Sequence, residues 1–215
     1  MSSLPLIEKY FPELSAEQRQ RFERLPAMYA AWNERVNLIS RQDIGALEER
    51  HLLHSLAIAR FFSFKKEARI LDLGTGGGFP GVPLAILFPE VEFLLIDGTG
   101  KKIAAVSDII GALGLSNAQA RHIRAEDLKQ NGYFDYVVTR AVAPLPDLLR
   151  WSERLISRRH RHAYPNGIIA LKGGNLNPEI SALPGKGHEY TELFPIWKTF
   201  QEEFFSEKFV VYLQS

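Results

Sequence analysis

From Ser15 to about Phe62 the apolar residues recur three and four positions apart, the spacing of helices that bury one face. Ser15 and Gln18 have the form of a capping box, in which each residue satisfies a free N–H of the other at a helix start. Phe22, Leu25, Tyr29, Trp32 and Val36 then form one stripe, and Pro26 inside it predicts a kink or a meeting of two helices. A second helical stretch runs from about Ile44 to Phe62, with Leu52, Leu53, Leu56 and Ala57 apolar; core packing accounts for both stripes. After Lys65-Lys66-Glu67 the pattern changes to short apolar runs: Arg69–Leu73, Phe93–Asp97, Phe134–Val138 and Gly167–Leu171. Helix-length segments such as Lys101 to Gly111 separate them, and a weaker strand precedes Arg124. Near-continuous apolar strands alternating with helices predict a parallel sheet covered on both faces. Lys208–Leu213 is a last strand with no helix after it, expected to insert as an antiparallel edge.

The expected fold is therefore α/β and Rossmann-like, a mostly parallel sheet with an antiparallel C-terminal edge strand. Residues 1–66 form an N-terminal helical extension packed on a core of residues 67–215. A length of 215 residues, 46% of them hydrophobic, allows one sizeable core. Lys and Arg number 26 against 25 Asp and Glu, which excludes a globally basic coat but not a local basic patch. The absence of Cys removes disulfides, thiolate metal sites and cysteine nucleophiles. Met1-Ser2-Ser3-Leu4-Pro5 lacks the basic and apolar segments of a leader peptide, and no apolar run is long enough to span a membrane, so a soluble, cytoplasmic protein is expected.

The most informative segment is Asp72-Leu73-Gly74-Thr75-Gly76-Gly77-Gly78-Phe79-Pro80-Gly81. It follows a predicted strand and leads into a helix, where glycines allow positive φ and close approach to a ligand. Asp97 ends the next strand, where a carboxylate can accept both hydroxyls of a ribose. Gly76, Gly78 and Gly81 fit the dinucleotide pattern G-x-G-x-x-G, but that frame begins two residues late and contains Pro80, which has no N–H. The frame Asp72, Gly74, Gly76, Gly78 begins at the strand end and resembles motif I of class I S-adenosylmethionine-dependent methyltransferases. S-adenosylmethionine is accordingly the expected cofactor, with a dinucleotide, or a turn serving only packing, as the alternatives. Arg124-Ala125-Glu126-Asp127 follows the weaker strand, and in such folds an acidic position there reaches the adenine amino group.

Without Cys, carbon-5 pyrimidine methylation through a covalent adduct is excluded. Thr139-Arg140-Ala141-Val142-Ala143-Pro144 stands where amino-group methylases of bases carry Asn/Asp-Pro-Pro-aromatic. Arg140 is a fixed cation there, suited to grip a guanine O6 or a phosphate, with an ion pair to Asp135 or Glu126 as its structural alternative. The run from Asp72 to Pro83, DLGTGGGFPGVP, resembles the signature of the small-subunit ribosomal RNA methyltransferase G family. Trp32-Asn33, Asn37-Leu38, Lys101-Lys102, Arg124-Ala125-Glu126, Phe134-Asp135, Arg140-Ala141 and Leu171-Lys172-Gly173 are similar to further family marks, so the resemblance spans residues 32–173. It implies methylation of N7 of one guanine in the decoding-region loop of 16S rRNA, with the rRNA or the small ribosomal subunit as partner. It implies cofactor contacts at Gly74, Phe79, Asp97, Ala125, Glu126 and Arg140, to which the glycine turn adds Gly76. Three departures stand out: His54 where the family pattern His-x-x-Asp-Ser has Asp, and Thr139 and Gly98 where Ser is common.

His51 and His54 lie three apart on a helix, but no third metal ligand is evident, so a solvated or core-edge pair is expected and no metal. From Arg121 to His162 there are nine Lys/Arg against five Asp/Glu, densest at Arg150, Arg154, Arg158, Arg159 and Arg161. A solvated helix face would look the same. In a chain that resembles an rRNA methylase, Arg158, Arg159 and Arg161, with Lys101 and Lys172, are the candidate RNA contacts. Two other functions remain open, a small-molecule methyltransferase and a non-catalytic S-adenosylmethionine-binding protein. The oligomeric state is not legible, with a monomer as the default.

Overall fold

The computed structural model describes residues 4–40, 42–185 and 187–215; Met1-Ser2-Ser3, part of the segment expected to lack a leader peptide, lies outside them. Seven strands form one sheet: β1 (Arg69–Leu73), β2 (Glu92–Asp97), β3 (Ala118–His122), β4 (Tyr136–Arg140), β5 (Gly167–Gly173), β6 (Thr191–Pro195) and β7 (Lys208–Gln214). Their order is β3-β2-β1-β4-β5-β7-β6, with β1 to β5 mutually parallel and β7 antiparallel to both β5 and β6. The antiparallel C-terminal strand is present, but it lies one place inside the edge. β6 pairs along its outer side, a strand whose half-exposed pattern gave no alternation to read. The strand order turns back between β1 and β4, so the crevice at their carboxyl ends is where ligands of open α/β sheets collect.

Side chains alternate across the strands and build two cores. On one face Ile70, Leu95, Val138 and Ile169 pack under α2 (Ala16–Asn33), α4 (Gly81–Leu87), α5 (Gly100–Leu113) and a helical stretch over residues 44–60. On the other, Leu71, Val137 and Ile168 pack under α6 (Leu145–Ser152), near the short α7 (Asn177–Ser181). The first core also takes in Ile7 of α1 (Pro5–Tyr10), so it is continuous across residue 66.

The capping box at Ser15 and Gln18 is formed, and α2 runs unbroken through Pro26. The same helix closes the ends of its neighbours. Gln18 Nε2 donates to the carbonyls of Ile86 and Leu87, Arg21 to those of Leu113 and Gly114, and Arg24 to that of Ala112. These are last-turn carbonyls of α4 and α5 that have no partner within their own helix. The stretch 44–60 is less regular: its middle, Glu48–Leu53, is a wide π-helical turn that passes into α3 (His54–Leu56). Single π turns are frequent at functional sites because they re-aim side chains.

Candidate functional site

The glycine loop turns between β1 and α4, braced by a buried carboxylate. Asp72 Oδ2 accepts from Thr75 Oγ1 at 2.6 Å and from the Gly81 N–H at 2.8 Å. Burial pushes the Asp72 carboxyl up to about 7, against the pull of those two hydrogen bonds. The acid that precedes the glycines therefore shapes the turn from beneath. Gly81 has no room for a side chain, since a Cβ there would lie 2.6 Å from Asp72 Oδ2. Tyr29 of α2 donates its hydroxyl to the Gly77 carbonyl at 2.7 Å, which pins the loop to the N-terminal helices.

Above the loop lies a cavity of about 410 Å³ at the carboxyl ends of β1 and β2. It brings together Gly74, Asp97, Ala125 and Glu126, four of the residues expected to hold the cofactor, and adds Val142 and Trp151. Gly74 sits at φ +68°, where a Cβ would come within 2.5 Å of Val142 Cγ2. Asp97 Oδ2 accepts from the Gly76 N–H at 2.9 Å and Oδ1 from the Thr99 N–H at 2.8 Å, which fixes the carboxylate and leaves lone pairs on both oxygens. A paired hydroxyl donor such as a ribose edge fits that carboxylate. The Ala125–Asp127 turn opposite supplies an acid and backbone groups for a heterocycle, so the cavity fits S-adenosylmethionine.

That turn is held by a residue whose role the sequence did not disclose. Arg154 donates to the carbonyls of Ala125, Glu126 and Leu128 and to Asn131 Oδ1, at 2.6–2.9 Å. Four acceptors occupy a guanidinium that otherwise read as part of a basic surface.

Arg140 and Phe79 do not line this cavity. Phe79 is buried, stacked on Tyr29 at 4.9 Å and set beneath Arg140, whose guanidinium carbon is 4.8 Å from the ring centre. Its ring packs against Tyr29, His51 and Arg140 and is not part of the lining of the first cavity. Arg140 ends β4 and opens onto a second cavity of about 430 Å³, between the N-terminal helices and the ends of β4 and β5. The two cavities share one wall, with Ala141 lining the second and Val142 the first. Ala141 is held at φ +52°, a strained conformation for a residue with a Cβ.

Arg140 donates to the Arg50 carbonyl at 3.2 Å and to His51 Nδ1 at 2.9 Å. The ion pair with Asp135 or Glu126 is not formed. Asp135 lies at the opposite end of the sheet and pairs with Arg161 at 2.9 Å, while Glu126 lines the first cavity. Burial brings the Arg140 guanidinium down to about 10, opposed chiefly by the Asp72 charge. His51 is lowered to about 4, first by burial and then by Arg140, and His54 is lowered well below its usual value by the same two causes.

The candidate RNA contacts separate. Lys101 is exposed in the first turn of α5, the helix that leaves β2 at its carboxyl end. Lys172 is only 9% exposed, and its ammonium is engaged by Glu179 at 2.6 Å and the Ala143 carbonyl at 2.7 Å, so it belongs to the cavity wall. Arg158, Arg159 and Arg161 lie between α6 and the start of β5, at the end of the sheet opposite the cavities. There Arg161 is bound to Asp135, while Arg158 and Arg159 are exposed. Of the other arginines in that run, Arg150 pairs with Asp147 and Arg154 braces the Ala125–Asp127 turn.

The model of the family described as rRNA small subunit methyltransferase G matches residues 18–188. A relative from Porphyromonas gingivalis named ribosomal RNA small subunit methyltransferase G is 51% identical over 209 residues, covering 97% of this chain and 92% of the relative. One of the same name from Bacteroides thetaiotaomicron is 48% identical over 211 residues, covering 98% and 100%. Among solved structures, an S-adenosylmethionine-dependent methyltransferase from Aquifex aeolicus aligns with TM-score 0.54 at 14% identity, over 81% of this chain and 98% of that one, a likeness of fold. The chain belongs to the rRNA small subunit methyltransferase G family.

Proposed function

We propose that this protein methylates N7 of a guanine in the decoding-region loop of 16S rRNA, as free rRNA or within the small ribosomal subunit, in the cytoplasm. The observation that carries the reading is the pair of cavities sharing the Ala141–Val142 wall, one built around Asp97 and the other around Arg140. When bound, S-adenosylmethionine supplies an electrophilic methyl group. Asp97 would hold its ribose, the Ala125–Glu126 turn its adenine, and the backbone at Gly74 and Gly76 the remainder. Guanine N7 carries a free in-plane lone pair and no proton, so alignment suffices and no side chain acts as base. Burial, followed by the charge of Arg140, makes His51 and His54 weak bases, which suits a reaction that needs no proton acceptor. Arg140 presents a planar donor fork on the substrate side of the wall, suited to guanine O6 or a phosphate. Lys101 would meet the RNA backbone near the cavity, and Arg158 and Arg159 a more distant segment.

Methyl transfer by Arg140→Lys and Arg140→Ala tests this arrangement. Lysine keeps the charge but loses the fork, so turnover is expected to fall by about tenfold or more, and further for alanine. Turnover near wild type for Arg140→Ala, at saturating RNA and cofactor, would remove Arg140 from the site.

A further inference from the structure

Arg140 carries a buried positive charge that no carboxylate contacts directly; Asp72 and Asp43 act on it only from a distance. Among the described residues its partners are the Arg50 carbonyl, the His51 ring nitrogen and the face of Phe79, all of them neutral. Both hydrogen-bond acceptors come from the wide turn Glu48–Leu53, which presents a backbone carbonyl and the adjacent ring to one guanidinium. The ring is itself steadied, 5.0 Å from Phe79, which in turn stacks on Tyr29. A guanidinium N–H can only donate, so Nδ1 of His51 must present its lone pair and the ring proton must sit on Nε2.

We infer that His51 is a positioning residue for the methyl-transfer reaction. Together with the Arg50 carbonyl it aims the Arg140 guanidinium into the substrate cavity through neutral acceptors, so no carboxylate is paired with the fork and it stays available to the RNA. A carboxylate at the same place would hold the fork equally well, but it would neutralise the charge that attracts the substrate. The burial that keeps His51 neutral protects this arrangement through the physiological range. Sequence alone assigns His51 to a solvated or core-edge pair, because it and Arg140 lie 89 positions apart. The inference rests on the methyl transfer proposed above.

Three substitutions separate positioning from packing. Asparagine can place Oδ1 where His51 has Nδ1, aspartate offers the same shape with a charge, and alanine offers nothing. In methyl transfer to unmodified small subunits, His51→Asn is expected within about threefold of wild-type kcat and His51→Ala about tenfold or more below it. His51→Asp should fall below His51→Asn although the two side chains match in shape. A purely structural role would group His51→Asn with His51→Ala, because both lose the ring that packs on Phe79. The double variant His51→Ala/Arg140→Ala should be no slower than Arg140→Ala alone, since two residues acting as one unit are not additive. The ¹⁵N spectrum of the imidazole reads the contact without any turnover: Nε2 protonated, and Nδ1 bearing a lone pair. A protonated Nδ1 at neutral pH, wild-type turnover in His51→Ala, or His51→Asn no faster than His51→Ala would each overturn the inference. Failure of the wild-type protein to methylate rRNA would instead defeat the proposed function, and the imidazole spectrum would still decide the contact.

Discussion

Replacing Asp97 with alanine tests the cofactor half of the account in a quantity that can be worked out beforehand. In the structure its two carboxylate oxygens each accept one backbone N–H, from Gly76 at 2.9 Å and Thr99 at 2.8 Å. Their remaining lone pairs face the cavity, where two ribose hydroxyls would donate to them. Hydrogen bonds to a charged acceptor contribute about 1.5–3 kcal/mol each. Because Asp97 is partly exposed, water can replace it at the two N–H groups, so the low end of that range applies. Losing both ribose bonds then costs about 3 kcal/mol, or about a hundredfold in Kd. Asp97→Asn is not a mild change here, since its NH₂ must face one of the two backbone donors; about a tenfold loss is expected. Isothermal titration calorimetry with S-adenosylmethionine measures both variants, with thermal melting in parallel to confirm the fold. A Kd for Asp97→Ala within about twofold of wild type would refute the ribose assignment and the hydrogen-bond reasoning behind it.

Gly81→Ala forces a Cβ to 2.6 Å from Asp72 Oδ2 and from Leu95 Cγ, and is expected to cost about 1–3 kcal/mol and lower Tm by several degrees. Gly111→Ala in α5, with nothing within 4 Å of its Cβ, should be neutral or stabilising by up to about 1 kcal/mol; melting curves compare the two, and equal Tm values would contradict the packing argument. Arg154→Ala releases the carbonyls of Ala125 and Glu126 and should weaken S-adenosylmethionine binding while Arg158→Ala does not, a difference that calorimetry detects. His51 and His54 stay neutral in the folded chain, so below about pH 6.5 the unfolded chain takes up protons that the folded chain refuses. Stability should therefore fall as pH drops from 6.5 toward 4, less steeply in His54→Leu; urea midpoints across that range check the sign, and an unchanged slope in the variant would remove His54 from the effect.

The parallel sheet was legible because each of its buried strands is a nearly continuous apolar run. The glycine turn was legible because few residues other than glycine tolerate the conformations it needs. Asp97 followed from its place at the end of the second run. β6 escaped notice because Thr191–Pro195 is mostly half-exposed and does not alternate. Arg154 and Lys172 look like surface cations in the sequence, and only their acceptors on distant elements show that one braces the Ala125–Asp127 turn and the other the wall of the Arg140 cavity. The distance of Arg158, Arg159 and Arg161 from Arg140 follows from the topology. A segment between a crossover helix and the next parallel strand returns to the amino end of the sheet, while Arg140 stands at the carboxyl end. The contact between Arg140 and His51 depends on a π-helical turn, for which the apolar spacing of residues 44–62 carries no signal.

The central claim is that the two cavities act together on a guanine of small-subunit rRNA. Its most direct measurement is transfer of a tritiated methyl group from S-adenosylmethionine to unmodified small subunits and to free 16S rRNA, with the product mapped by strand cleavage at N7-methylguanine. The account predicts incorporation at a single guanine of the decoding-region loop, abolished by Asp97→Ala at limiting cofactor and sharply reduced by Arg140→Ala. Label at another base or another ring atom, or label carried only by small metabolites, would contradict it.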